Sequence, residues 1–321
     1  MPRLSVVIPV VGHASQMEDS LVSILENRPA DCEILVMVNQ AYSDPYELKD
    51  EVRFVQGRRG AQQVELINLG IRVSHAEVVH VLGCGIVVGE GWAETALDRF
   101  ADRQVAAVAP VVVDRGNPRR CLAAGATYRH RSGVLRRGQS ASALASSQNV
   151  LVDPVFLTAF YRRSALESVG LFSSACGRHL AGVDLGLALL EAGFHGLLEP
   201  ACRLSAEPDR FVAPGGFRQG RAAEKLYQRW VPDEGRLGSM ALHATAVAAE
   251  WGWNCYRPAA WTRLIGRAVG TIQRLASGRS ERVSASQIAV PAVRLQGPHF
   301  AAERSGHRKS VDELPITRAD E

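Results

Sequence analysis

The stretch "VHVLGCGIVVGEGW", residues 79–92, drives an apolar run into a corner made of Gly83, Cys84 and Gly85. This corner offers one thiol and no charge. Hard divalent cations demand oxygen ligands, and a lone cysteine is a soft donor poorly matched to Mg²⁺. The reading favoured by residue type alone is a permissive turn at a strand end, with Cys84 as a small buried filler. His80 lies on the run before the corner and His75 just upstream, so either is a conceivable metal ligand. A strand histidine with no carboxylate beside it is more commonly a hydrogen-bonded core or rim residue. Asp184, opening "DLGLALLEAGF", can serve as a base, but at a helix start a capping and dipole role is the commoner use of such an acid. Asn39 can both donate and accept through its amide.

These residues need a scaffold, and the surrounding pattern supplies one. "LSVVIPV" (4–10) is β-branched and apolar on both faces, as a parallel strand between helix layers should be. In "SQMEDSLVSILEN", Ser15 is placed to cap a helix with Glu18 reaching back, and Met17, Leu21, Ile24 and Leu25 form one stripe. Strands are predicted at 33–38, 52–55, 77–82 and 105–113. Helices are predicted at 60–75, 92–100, from 183 to near Gly193, and at 217–230, 238–254 and 259–276. Residues 115–137 read as an Arg-rich, turn-containing excursion. Alternation of this kind predicts a parallel, doubly wound sheet.

The totals exclude several classes. The chain has 321 residues, 46% of them hydrophobic, which supports a large core. Its 37 Lys and Arg against 33 Asp and Glu give +4, too small an excess for a dedicated nucleic-acid binder. Six scattered cysteines show no C-x-x-C spacing, so neither a disulfide framework nor a structural zinc is expected, and the thiols read as reduced in a cytoplasm. The opening apolar run is interrupted by Pro9 and reads as a strand rather than a signal peptide. No stretch reaches the roughly 18 uninterrupted apolar residues of a membrane span.

Four stretches, in order, carry a family resemblance: "LSVVIPV"; "INLGIRVSHAEVVHVL"; "GEGW"; and "FYRRSALESVGLF" with "GVDLGLALLEAGF". Together they resemble glycosyltransferase family 2, inverting enzymes of GT-A fold that move a sugar from a nucleoside diphosphate, over roughly residues 4–230. The resemblance implies an α/β, mostly parallel, doubly wound sheet flanked by helices over 1–230; beyond it, periodicity predicts a small helical extension over 231–277, and polar, aperiodic sequence predicts a disordered tail over 278–321. It implies nucleotide-sugar-binding positions at Pro9, Val38, Asn39, Asn68, Gly83, Cys84 and Gly85. In the family the strand matching "VHVL" ends in Asp-x-Asp, whose carboxylates hold Mg²⁺ or Mn²⁺ on the donor phosphates; here those positions are Gly83 and Gly85. The family's base lies in a Glu-Asp-x-Asp run, at the position of Gly182, with Asp184 the downstream acid. A pair of family acids that contact base and ribose is matched by Val38 and Asn39. Asp153 fits a strand-end position of the family without an independent functional signal.

Metal stabilisation of a leaving group is worth several kcal/mol, so its loss slows transfer by about 10³-fold or more unless another cation replaces it. The expectation is a chain with no metal site and no cofactor, no metal-dependent catalysis, and a role as a sugar- or nucleotide-binding domain or as partner to an active glycosyltransferase. The alternative is a metal-independent transferase, with arginines on the diphosphate and Asp184 as fallback base. Seven arginines (115, 119, 120, 129, 131, 136 and 137) are candidates for that task, although Gly and Ser among them favour a solvated hairpin. A second alternative is a peripheral membrane or assembly adaptor. It rests on Trp261, Leu264, Ile265, Ala268, Ile272 and Leu275 sharing a helix face with Arg263, Arg267 and Arg274 around them; packing of that face on the main domain is favoured. The expected location is cytoplasmic, with a peripheral position at the inner face of the membrane as the variant that follows from this helix.

Overall fold

The computed structural model describes residues 2–12, 15–42, 44–138, 153, 155–211 and 215–277. The tail expected over 278–321 and the side chain of Ser15 lie outside the described residues.

The chain opens with β1 (Leu4–Val10), α1 (Ser15–Glu26), β2 (Cys32–Val38), β3 (Arg53–Gln56), α2 (Gln63–Val73) and β4 (Val78–Val81). These four strands pair in parallel in the order β3-β2-β1-β4. All seven residues of β1 are buried because helices cover both sides of it. On one side Met17, Leu21 and Ile24 of α1 meet Ile8 and Val36; on the other, Leu66, Ile67 and Ile71 of α2 meet Val7 and Leu35. Each such aliphatic side chain taken from water contributes about 1.5–3 kcal/mol. Reciprocal bonds between Gln62 and Glu65 start α2.

The second half mixes directions. β5 (Ile86–Val88), α3 (Glu94–Asp98), β6 (Val105–Asp114), β7 (Cys121–Ala123), β8 (Ala126–Arg129), β9 (Val134–Arg137), β10 (Phe160–Arg162), α4 (Arg163–Ser168), α5 (Ala181–Glu191) and β11 (His195–Ala206) follow. The main sheet continues β4-β10-β6-β11-β5, with β7 on β6. β10 is antiparallel to both neighbours, β11 parallel to β6, and β5 antiparallel to β11. β8 and β9 form a separate hairpin, the observed form of the Arg-rich excursion, and all seven of its arginines are exposed.

Three helices close the described chain: α6 (Phe217–Trp230), α7 (Arg236–Asn254) and α8 (Pro258–Ser277). α6 and α8 cross with backbone against backbone: Gly220 abuts the carbonyl of Arg263, and Gly266 abuts that of Phe217. The face of α8 that packs is therefore its Gly266–Gly270 side, with Arg263 and Arg267 held by Glu250. The apolar side is not the packed one: Trp261, Ile265 and Ile272 are exposed. This corrects the expectation that the apolar stripe packs on the main domain, and the reason is steric, since only glycine permits so close a crossing.

Substitution of Gly220 or Gly266 by alanine is expected to push these helices apart and lower unfolding free energy by about 1–3 kcal/mol. Gly238→Ala in α7, where an added methyl meets nothing within 4 Å, is expected to raise it by about 0.5–1 kcal/mol. Urea titrations of the three variants check both signs.

Candidate functional site

The corner after β4 sits where the carboxyl ends of β1 and β4 meet the first turns of α1, the usual ligand crevice of an open α/β sheet. Its backbone is tied down. The Gly83 N–H donates to the Leu157 carbonyl at 2.8 Å, and the Gly85 N–H is shared between the Gln16 carbonyl and the Ser20 hydroxyl, each at 2.9 Å. Gly85 has φ +79°, a left-handed conformation that favours glycine. The Cys84 thiol lies 3.5 Å from the Pro9 carbonyl. Burial pushes its pKa up to about 11 against the pull of Arg210, so it is a neutral thiol at pH 7.

The charge at this corner comes from a distant part of the chain. After β11, a short 3₁₀ turn (Pro208–Phe211) lays the guanidinium of Arg210 over Gly85. A methyl group built on Gly85 would stand 3.1 Å from its Cζ and Nη2 and 3.3 Å from its Nε. The nearest acid, Asp209, is exposed and 4.0 Å away. The corner thus presents a protonated thiol, two glycines and a fixed cation. These residues do not fit a divalent ion, which needs oxygen donors and is repelled by a neighbouring guanidinium. Among the described residues no group of three or more His, Cys, Asp or Glu is placed to hold a metal.

The other glycine of interest is packed in the same manner. A methyl group on Gly182 would lie 2.6 Å from Asp153 Oδ1 and 2.9 Å from Phe156 Cβ, and one on Gly83 would lie 3.1 Å from Leu157 Cβ. One short segment thus covers both positions. It also brings a carboxyl group to the space that a side chain at 182 would fill. Burial raises the pKa of Asp153, opposed by Arg137 and by the N–H of Phe156, 3.2 Å from Oδ1.

The remaining candidates fall in several places. Pro9, Cys84, Gly83 and Gly85 are brought together at the corner. Val38 is buried at the end of β2, and Asn39 beside it donates its amide to the Ala61 carbonyl at 3.1 Å. Asn68 is turned elsewhere: its amide exchanges two bonds with the backbone of Phe172, at 2.8 and 3.0 Å, tying α2 to the segment after α4. Asp184 makes no capping bond, contrary to the expectation for it, because the N-cap is Leu180. It is buried, accepts from Trp230 Nε1 at 2.6 Å, and pairs with Arg229 at 3.0 Å. Its pKa is raised by burial, with Arg229 opposing. Its carboxylate anchors α6 to α5. His80 is a core residue between the rings of Phe160 and Trp92, 4.0 and 4.8 Å away, and burial lowers its pKa to about 3. It is packed by rings, where sequence alone suggested hydrogen bonding. His75 pairs with Glu33 at 2.9 Å, at the opposite end of the strands. Arg115 and Arg120 of the excursion pair with Asp19 and Asp114. Sequence reasoning missed Arg210, a lone arginine in an ordinary "EPDRF" turn, and gave Asp153 no role.

Comparison with known structures defines the class. GalNAc-T7, solved with UDP, GalNAc and Mn²⁺, superposes with a TM-score of 0.51 at 13% identity, covering 80% of this chain and 58% of that one. The fold is the GT-A glycosyltransferase fold. The mannosyltransferase PcManGT from Pyrobaculum calidifontis, solved with GDP-Man and Mn²⁺, gives a TM-score of 0.47 at 18% identity, over 85% of this chain and 81% of that one. In sequence, the chain is similar to polypeptide N-acetylgalactosaminyltransferase 12 of Mus musculus, 30% identical over 123 residues, which is 35% of this chain and 21% of that protein. The chain therefore spans about a fifth of the curated relative that it matches. No family model matches it.

Restoring acids at the glycine positions is expected to disrupt the site. Gly182→Asp forces a second carboxylate against Asp153 and should cost about 2–4 kcal/mol of stability. Denaturation with and without Mn²⁺ tests this; wild-type stability together with new Mn²⁺ binding would contradict it.

Proposed function

We propose that this chain binds a nucleoside diphosphate sugar at the crevice beyond β1, β2 and β4, with Arg210 in place of a divalent cation, and that metal-dependent sugar transfer has been lost. The observation that carries this reading is the guanidinium over Gly85. Its position is the one where, by the family resemblance, a metal would neutralise the diphosphate. Arginine suits the task because its planar fork donates two parallel hydrogen bonds to phosphate oxygens and stays protonated. The neutral thiol of Cys84 adds no opposing charge, and Asp19, in the first turns of α1, is taken up by Arg115. The GT-A fold, shared with a structure that holds UDP, supports the nucleotide as ligand. A second carboxyl route is present in Asp153, but its burial and its bond to Phe156 favour a structural use. The reading also places the protein on the cytoplasmic side, as a donor-binding domain or the partner of an active transferase.

Calorimetric titration with UDP, UDP-hexoses and GDP-mannose, in Mn²⁺ and in EDTA, is the test. Affinity should agree within about twofold between the two conditions, and Arg210→Ala should weaken it by about tenfold or more, roughly 1.4 kcal/mol. Arg210→Lys should fall between, having lost the fork. Tenfold tightening by Mn²⁺, or no binding of any donor by the wild type, overturns the reading.

A second reading concerns the α7–α8 hairpin and is carried by its exposed rings. Trp253, Tyr256 and Trp261 are 84%, 71% and 49% exposed around one turn. From 251 to 277 the chain holds Arg257, Arg263, Arg267 and Arg274 and no acid. Among the described residues no helix is long and apolar enough to cross a membrane. Aromatic anchors beside arginine are the composition of a surface that rests on anionic lipid. Vesicles containing phosphatidylglycerol should sediment the full chain and release it when the three rings are changed to alanine; equal recovery of both proteins in the supernatant excludes this surface.

A further inference from the structure

A second site lies away from the corner. Helix α6 carries Arg218, Arg221, Lys225 and Arg229 at spacings of three, four and four, which sets all four on one face. That face lines a crevice of about 1810 Å³ bounded by the β8–β9 hairpin, the segment before α5, and α7 and α8. Across from the stripe stand Arg137 of β9 and Arg178.

The lining has little negative charge to offset this. Its carboxylate is Glu250, held by Arg263 and Arg267 at its two oxygens. Asp184, just behind the lining, neutralises Arg229. Among the described residues no carboxylate lies at ion-pair distance from Arg137, Arg178, Arg218 or Arg221. Four exposed guanidinium groups thus face one concavity, against a whole-chain charge of only +4. Such concentration in a cleft with low-dielectric walls raises the local concentration of anions.

We infer that this crevice binds an extended anionic glycan, a chain bearing repeated carboxylates or phosphates, and presents it to the donor crevice. Three features select this ligand. The volume exceeds what a single phosphate or monosaccharide fills, so the occupant is a chain. The floor is aliphatic, with Leu180, Ala222 and Leu226; among the described residues its rings are the buried Tyr128 and His243 and the exposed Phe217 and His179, fewer exposed rings than the succession on which the bases of single-stranded nucleic acid stack. Arg137 links the two sites, since it pairs across the hairpin with Ala126, whose N–H donates to the Asp153 carbonyl at 2.7 Å, and Asp153 packs against Gly182. The role as acceptor seat rests on the nucleotide-sugar reading above. The binding of an anionic chain does not.

Fluorescence anisotropy of the full chain with labelled oligogalacturonate and labelled glycerol phosphate oligomers separates the carboxylate from the phosphate source, with a neutral maltooligosaccharide and single-stranded DNA of matched length as comparators. At least one anionic glycan should bind, lose about tenfold in affinity as NaCl rises to about 0.3 M, and lose at least tenfold in Arg218→Glu/Arg221→Glu, while that variant keeps wild-type affinity for UDP. Arg218→Gln/Arg221→Gln should fall between, and Arg210→Ala should bind the glycan as the wild type does. Equal binding of the neutral chain, unchanged binding by the charge-reversed variant, tighter binding of DNA than of either glycan, or no binding of either glycan each overturns the inference. Loss of UDP binding in Arg210→Ala with glycan binding intact leaves this site standing; the reverse pattern leaves the donor site standing alone.

Discussion

The contact of a guanidinium with the bare Cα of Gly85 governs the chemistry open to this fold. A divalent ion placed roughly 4 Å from Arg210 would be repelled by several kcal/mol even with partial solvent screening, and Gly83, Cys84 and Gly85 offer no carboxylate to offset that. The same charge suits a diphosphate without rearrangement. On the reading proposed above, positive charge is supplied by the covalent chain rather than recruited from solution, and an anion bound here is held independently of metal concentration.

Packing at four other places surrounds this corner and the segment that covers it. Leu157 leans on Gly83, and Asp153 with Phe156 leans on Gly182, so one short segment closes over both ends of the site. The bidentate bond of Asn68 to Phe172 and the clamp of Trp230 and Arg229 on Asp184 hold the helices that back this segment. Two polar residues that a motif reading assigns to ligand or base are thereby employed in joining elements.

Much of the scaffold was legible because it rests on periodicity. The bounds of β1 and α6 follow directly from a seven-residue apolar run and from an amphipathic stretch ending at Trp230. β11 was not legible. "HGLLEPACRLSA" contains Pro200, alternates poorly and is irregular in register between Glu199 and Arg203, so its pairing is decided by β6 rather than by its own pattern. With that strand unseen, the turn after it, and Arg210 within it, had no place near the corner. The neutral residues at the three positions that the family resemblance marks as acidic could be read from sequence; the approach of Arg210 to Gly85 could not, because the contact spans 125 residues of chain and leaves no spacing signature. The helix at 217–230 was legible, but its basic stripe went unread and acquires meaning only when Arg137 of the hairpin is seen opposite.

The glycines also constrain the routes by which such a site can change. A side chain restored at 83 meets Leu157, one at 85 meets Arg210, and one at 182 meets Asp153 and Phe156. Each of these exchanges opposes a neighbour that occupies the volume the new side chain would need. An acidic centre built here would require concerted replacement of residues on four separated segments, since each single step meets a packed neighbour. The geometry thus guards the three glycines: any side chain added at one of them meets packed atoms before it meets open space.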